Sequence, residues 1–156
     1  EPVIEGLKNY RGTHRRFEYK GVKNGIVIVD DYAHHPQEIE ATLKAALNYP
    51  HRKIWCLFQP HTYTRTKALM DEFAESLSLA DHVIMADIYA ARETDTLGIS
   101  SANLAEKIRA YGTPAEYISG FEEIRKFILK NCMHGDLLIT MGAGDIVKVG
   151  EMLLSE

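Results

Sequence analysis

A chain of 156 residues, 46% apolar and 26% charged, is long enough for one domain with a sizeable core. Its net charge of -4, without a like-charge run, argues against a nucleic-acid or anionic-membrane surface. No signal peptide is expected, and there is no apolar run near membrane-spanning length. Cys56 and Cys132, far apart and outside any Cys-x-x-Cys motif, read as buried free thiols of a reducing cytoplasm.

The chain opens Glu1-Pro2-Val3 rather than on Met, so a piece of something longer is expected. Residues 1–13 end in Arg11-Gly12-Thr13 and read as a connector or hinge. Arg15-Arg16-Phe17-Glu18-Tyr19 alternates weakly, and the stretch from Gly21 to Gly25 supplies turn residues, which together predict a hairpin leading into a sheet. Arg15 and Arg16 are open to two readings, a phosphate clamp or a solvated strand face. Ile26 to Val29 is a β-branched run that ends in Asp30-Asp31-Tyr32-Ala33-His34-His35. Pro36 suits the first position of a helix, Glu38 and Glu40 complement its positive end, and Ile39, Leu43, Ala46 and Leu47 recur at helical spacing.

After a stop at Asn48-Tyr49-Pro50, residues 53–58 read as a second buried strand, ending in the polar stretch 59–66. The next helix carries Leu69, Phe73 and Leu77 on one face. Residues 83–86 are a third strand. Their exit runs through Asp87-Ile88-Tyr89-Ala90-Ala91-Arg92-Glu93 into a long polar loop reaching Gly98, mobile or substrate-facing. Ser101 opens a helix bearing Leu104 and Ile108, and residues 115–118 form a short strand. Ser119 with Glu122 makes a capping box before Ile124, Phe127 and Ile128. The last unit is a strand over 136–140, the turn Gly142-Ala143-Gly144, and a helix bearing Ile146, Val149 and Leu153. Strands alternating with helices after a hairpin predict an α/β, Rossmann-like fold, with a mostly parallel, doubly wound sheet.

Four polar clusters, over 30–35, 59–66, 87–93 and 142–145, follow strand C-termini, and parallel strands bring such ends to one rim. A carboxylate there can hold a ribose, and an Arg opening a helix suits bidentate binding of a carboxylate or phosphate. Blander readings stand beside these. Asp30 or Asp31 only caps the next helix, Tyr32 packs under the rim, and His61 bonds a neighbouring loop. Adjacent His34 and His35 splay apart with no third ligand at diagnostic spacing, so no metal site is read. Gly142-Ala143-Gly144 lacks the third glycine of a dinucleotide fingerprint, Val147 standing there, and reads as a tight turn with exposed N–H groups. The chain contains no Gly-x-x-x-x-Gly-Lys-Ser/Thr motif and no recognisable nucleophile elbow. The residues alone thus point to an α/β domain that receives an anionic small molecule.

Asp30-Asp31-Tyr32-Ala33-His34-His35-Pro36, followed by Phe58-Gln59-Pro60-His61-Thr62-Tyr63-Thr64-Arg65-Thr66, resembles the Mur ligase family. Gly12-Thr13, Arg15-Arg16-Phe17-Glu18, residues 87–93 and Gly142-Ala143-Gly144 extend the likeness over nearly the whole chain. It is greatest to the C-terminal domain of members that join L-alanine to UDP-N-acetylmuramate. The resemblance implies a cytoplasmic, three-domain enzyme of peptidoglycan synthesis. An N-terminal domain binds the UDP-sugar, a central domain carries the P-loop and the Mg2+ ligands, and the C-terminal domain closes as a lid. Residues 1–13 would then be the hinge from the upstream domains, and 14–156 the C-terminal domain. In this family ATP phosphorylates the muramoyl carboxylate, and the L-alanine amine attacks the acyl phosphate.

Carried over position by position, the resemblance has Asp31 hold the ATP ribose and Tyr32 pack beside the nucleoside. His34 is the catalytic residue facing the L-alanine and phosphate region. Arg65 binds the L-alanine carboxylate, helped by His61 and the backbone near Ala143. Thr62 stands where many relatives have Arg, which leaves more of that recognition to Arg65. The chain alone, lacking a P-loop, would be inactive. Three other readings stay open: the same domain of a relative that adds another amino acid or a peptide, a non-catalytic nucleotide-binding module, and a dehydrogenase fragment.

Overall fold

Asn24 and Gly25, at φ of 55° and 80°, adopt the left-handed pair of conformations that a two-residue type I′ turn needs, and Lys23 pairs with Ile26 across it. This turn folds β1 (Glu18–Lys23) antiparallel onto β2 (Ile26–Asp31). The turn is narrower than the sequence suggested, because the strand continues through Gly21 by way of a register shift between Tyr19 and Gly21. The description comes from a computed structural model and covers residues 15–155, so the hinge expected over 1–13 lies outside it.

The chain then runs α1 (Pro36–Ala46), β3 (Ile54–Phe58), α2 (Tyr63–Ala68), α3 (Met70–Leu77), β4 (His82–Met85), α4 (Ser101–Ala110), β5 (Ala115–Tyr117), α5 (Phe121–Asn131), β6 (Leu137–Met141) and α6 (Val147–Leu154). The sheet order is β1-β2-β6-β3-β4-β5, parallel throughout except at β1. This is the mostly parallel, doubly wound α/β fold with a leading hairpin that the alternation predicts. Among the described residues no helix is long and apolar enough to cross a membrane.

Successive residues on a strand face opposite sides, which is why β2, β3 and β6 read as unbroken apolar runs. On one side Val29, Cys56, Phe58, Val83, Met85 and Ile139 pack with Ile39 and Leu43 of α1, Phe73 and Leu77 of α3, and Leu104 and Ile108 of α4. On the other, Ile28, Trp55, Leu57, Ile84 and Leu138 pack with Ile124 and Ile128 of α5 and Val149 and Leu153 of α6. Both cysteines are buried free thiols; burial pushes Cys56 strongly up and Cys132 up to about 12. At the exposed edge of the sheet, β5 is three residues long and Arg109 Nη1 donates to Ala115 O at 2.7 Å.

Two local expectations need correction. The helix read through Leu69, Phe73 and Leu77 is two helices, because Leu69 at φ -116° and ψ 24° breaks the path between α2 and α3. Ser119 does not cap α5. Gly120 holds the N-cap position, Ser119 Oγ donates to Asp87 Oδ2 at 2.7 Å, and Glu122 pairs with Arg125 instead.

At the opposite end of the strands from these loops, Asp136 is 1% exposed and gathers four donors. They are Arg52 Nε and Nη2, Trp55 Nε1 and Met133 N, at 2.8, 3.0, 2.8 and 2.8 Å. Asp136→Ala leaves the buried indole and amide N–H groups unpaired and should cost about 2–4 kcal/mol. Arg52→Ala, removing a side chain 40% exposed, should cost about 1 kcal/mol or less. Urea unfolding of the two variants measures both.

Candidate functional site

The C-terminal ends of β2, β6, β3 and β4 lie along one border of the sheet, and the polar clusters meet there. Gly142 N donates to Asp31 O at 3.1 Å, Gln59 N to Met141 O at 3.0 Å, and Ala86 N to Phe58 O at 2.9 Å. The stretch after β3 is laced to the stretch after β4 by a parallel bridge between His61 and Tyr89, with Thr62 N to Tyr89 O and Tyr89 N to Pro60 O both at 2.8 Å.

The two adjacent carboxylates meet different fates because they face opposite sides of the strand. Asp30, fully buried, accepts Arg15 Nε at 2.7 Å and Thr140 Oγ1 at 2.6 Å. Asp31 accepts Phe17 N at 2.9 Å and Ala33 N at 2.8 Å. Burial is the main cause holding the Asp31 carboxyl above its ordinary value, against the lowering effect of Ala33, Phe17 and Thr42. Asp31 also lines a cavity of about 280 Å³ together with Arg16, Phe17, Tyr32, Glu38 and Thr42. Neither carboxylate caps α1. That role falls to His35, whose Nδ1 accepts Gln37 N, and to Glu38, whose carboxylate accepts His35 N and His34 N.

His34 and His35 therefore do different things. His34 turns to the rim, where Nδ1–H donates to Tyr32 O at 3.1 Å and leaves Nε2 free of a partner among the described residues. A run of rings follows across the border: Tyr32 to His34 at 5.4 Å between centroids, His34 to His61 at 6.1 Å, and His61 to Tyr89 at 5.6 Å, stacked. His61 Nδ1 is buried and without a partner among the described residues. Desolvation first, then the Arg65 and His34 charges, hold its pKa below the ordinary 6.5.

Arg65 sits on α2, whose N-terminus is built by long-range contacts. Thr62 is its N-cap, at φ 66°, and its side chain accepts Arg65 N. Glu93 brings its carboxylate to Tyr63 N, Thr64 N and Thr64 Oγ1 from the exit loop of β4. The loop read as mobile or substrate-facing is thus joined to α2 at Glu93 and again where Lys67 Nζ donates to Leu97 O at 3.2 Å. Among the described residues the Arg65 guanidinium has no hydrogen bond or ion pair.

Ala143 lies in a turn gripped from two sides. On one, Arg15 Nη2 donates to Gly142 O and Nη1 to Gly144 O, each at 2.9 Å, so Arg15 is neither a phosphate clamp nor a solvated strand residue. On the other, buried Gln59 donates Nε2 to Asp145 Oδ1 at 2.8 Å and accepts Ile146 N at 3.2 Å. Gly142 has φ of 147°, and a Cβ there would lie 2.8 Å from Gln59 O; at Gly144 one would meet Gln59 Oε1 at 2.6 Å and the Tyr89 ring at 2.8 Å. The glycines serve close packing of backbone against Gln59 and Tyr89, with no fingerprint needed. The Ala143, Gly144 and Asp145 N–H groups have no partner among the described residues.

Asp31, Tyr32, His34, His61, Arg65 and Ala143 are thus brought to one border. Sequence reading missed Arg15, Gln59 and Glu93 as the groups that hold that border in shape. Their partners are 129, 87 and 30 residues away at the farthest, and no local pattern signals such pairs.

Residues 15–144 match the family described as Mur ligase, glutamate ligase domain. The UDP-N-acetylmuramate--L-alanine ligase of Lachnospira eligens is 64% identical over 154 residues, covering 99% of this chain and 34% of that protein. The enzyme of the same name from Clostridium acetobutylicum is 56% identical over 154 residues, again covering 99% and 34%. Among solved structures, UDP-N-acetylmuramate-alanine ligase from Thermotoga maritima superposes with a TM-score of 0.76 at 29% identity, over 99% of this chain and 32% of that one. The chain spans about a third of the length of the curated relatives it matches.

A depressed His61 pKa carries a sign. The folded protein binds fewer protons there than the unfolded chain, so the stability held by neutral His61 is complete above 6.5 and is lost as the pH falls below 6.5 and through the lower pKa of the folded protein. The His61 ring should titrate below 6.5 by NMR. His61→Phe should flatten the acid limb of stability below 6.5, read by thermal melts at successively lower pH.

Proposed function

The chain belongs to the Mur ligase family, with the glutamate ligase domain over residues 15–144, and from that premise we propose that it is the C-terminal lid of an enzyme joining L-alanine to UDP-N-acetylmuramate. Residues 14–156 make up that domain. A UDP-sugar-binding domain and a central domain with the P-loop precede it in a cytoplasmic, three-domain protein. The observation that carries the reading is one border where a guanidinium, an imidazole nitrogen and backbone N–H groups, all without partners among the described residues, stand together. Relatives at 56% and 64% identity bear the name of that ligase, which favours L-alanine over other amino acids as the substrate.

ATP, when bound, supplies the phosphoryl group that activates the muramoyl carboxyl. The chain fits its nucleoside at the cavity beside Asp31, where a carboxylate acceptor and the Tyr32 ring suit a ribose and its base. Mg2+ would be held by carboxylates and waters of the central domain, as the family resemblance implies, and would there offset the phosphate charge.

The chain's own residues bind and orient the amino acid. Arg65 takes the L-alanine carboxylate, His61 flanks it as a neutral ring, and the Ala143 backbone N–H completes the contact. Fixing the carboxylate fixes the amine at the same time, which turns a bimolecular attack into a positioned one. A free α-amino group has a pKa near ~8 and must lose a proton before attack. His34, with Nδ1–H committed to Tyr32 O, presents Nε2 to that amine.

In the full-length protein, Arg65→Ala should raise the KM for L-alanine roughly 10- to 100-fold, the worth of a charged bidentate contact, and leave that for ATP near its starting value. Steady-state kinetics with UDP-N-acetylmuramate, ATP and a panel of amino acids tests both the residue and the substrate. An unchanged L-alanine KM removes Arg65 from its role. The chain by itself should show neither ATP hydrolysis nor ligation in a phosphate-release assay, since it lacks a P-loop; turnover by the chain alone would overturn the lid assignment.

A further inference from the structure

The reaction as proposed leaves Arg15 without a part, yet its side chain is 11% exposed and each of its three nitrogens donates a hydrogen bond. Nε meets Asp30 Oδ2 at 2.7 Å, Nη2 meets Gly142 O and Nη1 meets Gly144 O, both at 2.9 Å, and the Tyr32 ring lies over Cζ with its centroid 5.2 Å away. A trans peptide holds its C=O and the following N–H antiparallel in one plane, and among the described residues no peptide is cis. The plane bearing the Gly142 carbonyl also bears the Ala143 N–H. The plane bearing the Gly144 carbonyl bears the Asp145 N–H. Drawing both carbonyls to one guanidinium therefore turns both N–H groups away from it, and neither has a partner among the described residues. Gln59 fixes the far end of the turn through Asp145 Oδ1 and Ile146 N, so the two planes cannot swing freely.

We propose that Arg15 is a positioning residue for substrate binding, turning the Ala143 and Asp145 N–H groups outward, toward the carboxylate of the amino-acid substrate. This rests on the assignment of the Ala143 backbone to L-alanine made above. A singly charged carboxylate suits the turn better than a phosphoryl group, because Asp145 brings its own negative charge there. The planar fork is what the task requires: it reaches Asp30 and two carbonyls at fixed spacing, whereas a lysine ammonium is a point charge on a flexible stem.

The test is Arg15→Lys in the full-length protein, beside Arg65→Ala. Arg15→Lys keeps a cation against Asp30 but releases at least one carbonyl. It should raise the KM for L-alanine about tenfold, with kcat and the KM for ATP within about twofold. A well-folded Arg15→Lys protein with an unchanged L-alanine KM, or with a rise confined to ATP, overturns the inference. If Arg65→Ala shifts the L-alanine KM and Arg15→Lys does not, the positioning role falls while the ligase reading stands. If neither shifts it, the ligase reading falls as well. Should Arg15→Lys not fold, the wild-type protein decides: the Ala143 and Asp145 amide protons should move downfield on titration with L-alanine, and amide signals that stay in place overturn the inference.

Discussion

Met141 is the register mark on which the site depends. It pairs with Asp31 of β2 on one side and with Phe58 of β3 on the other, so three strands end level. The last strand in the sequence is thus inserted between the first and second parallel ones, the kind of topological reversal at whose C-terminal edge α/β proteins open a crevice. Had β6 slipped by one residue, Gly142 N would lose Asp31 O and every side chain on the strand would change face. The apolar packing on both faces of β6 sets the register, and the position of Ala143 follows from it.

Polar groups at this border are shaped by burial as much as by charge. Asp30 and Asp31 are neighbours in sequence but solve desolvation in different ways. Asp30 is neutralised by a guanidinium, and Asp31 is held by two backbone N–H groups and kept above its ordinary pKa by burial. The first solution ties the end of β2 to the turn after β6. The second leaves a carboxylate at the wall of a cavity. His61 shows the same logic for a base, kept neutral by its surroundings while stacked on Tyr89.

Much of the fold was legible in the residues. Apolar β-branched runs, the Pro36 helix start and the alternation of element types gave the mostly parallel, doubly wound sheet and the common border of the polar clusters. What was not legible rests on contacts between distant residues. Glu93 capping α2 and Arg15 reaching Gly144 are tertiary choices that neither propensity nor spacing encodes. The break at Leu69 is of this kind too, since a helix whose start is fixed by another loop need not be collinear with one aligned by core packing. Ser119 misled because a capping-box pattern names donors and acceptors but not their competitors, and Asp87 took the hydroxyl.

The outermost strand, β5, has a further consequence. With three residues and one carbonyl already taken by Arg109, it offers a visiting chain almost no ladder to continue. At the opposite margin β1 is irregular at Gly21. Among the described residues neither flank is a good template for intermolecular β-stacking, the standing hazard of a sheet with open edges.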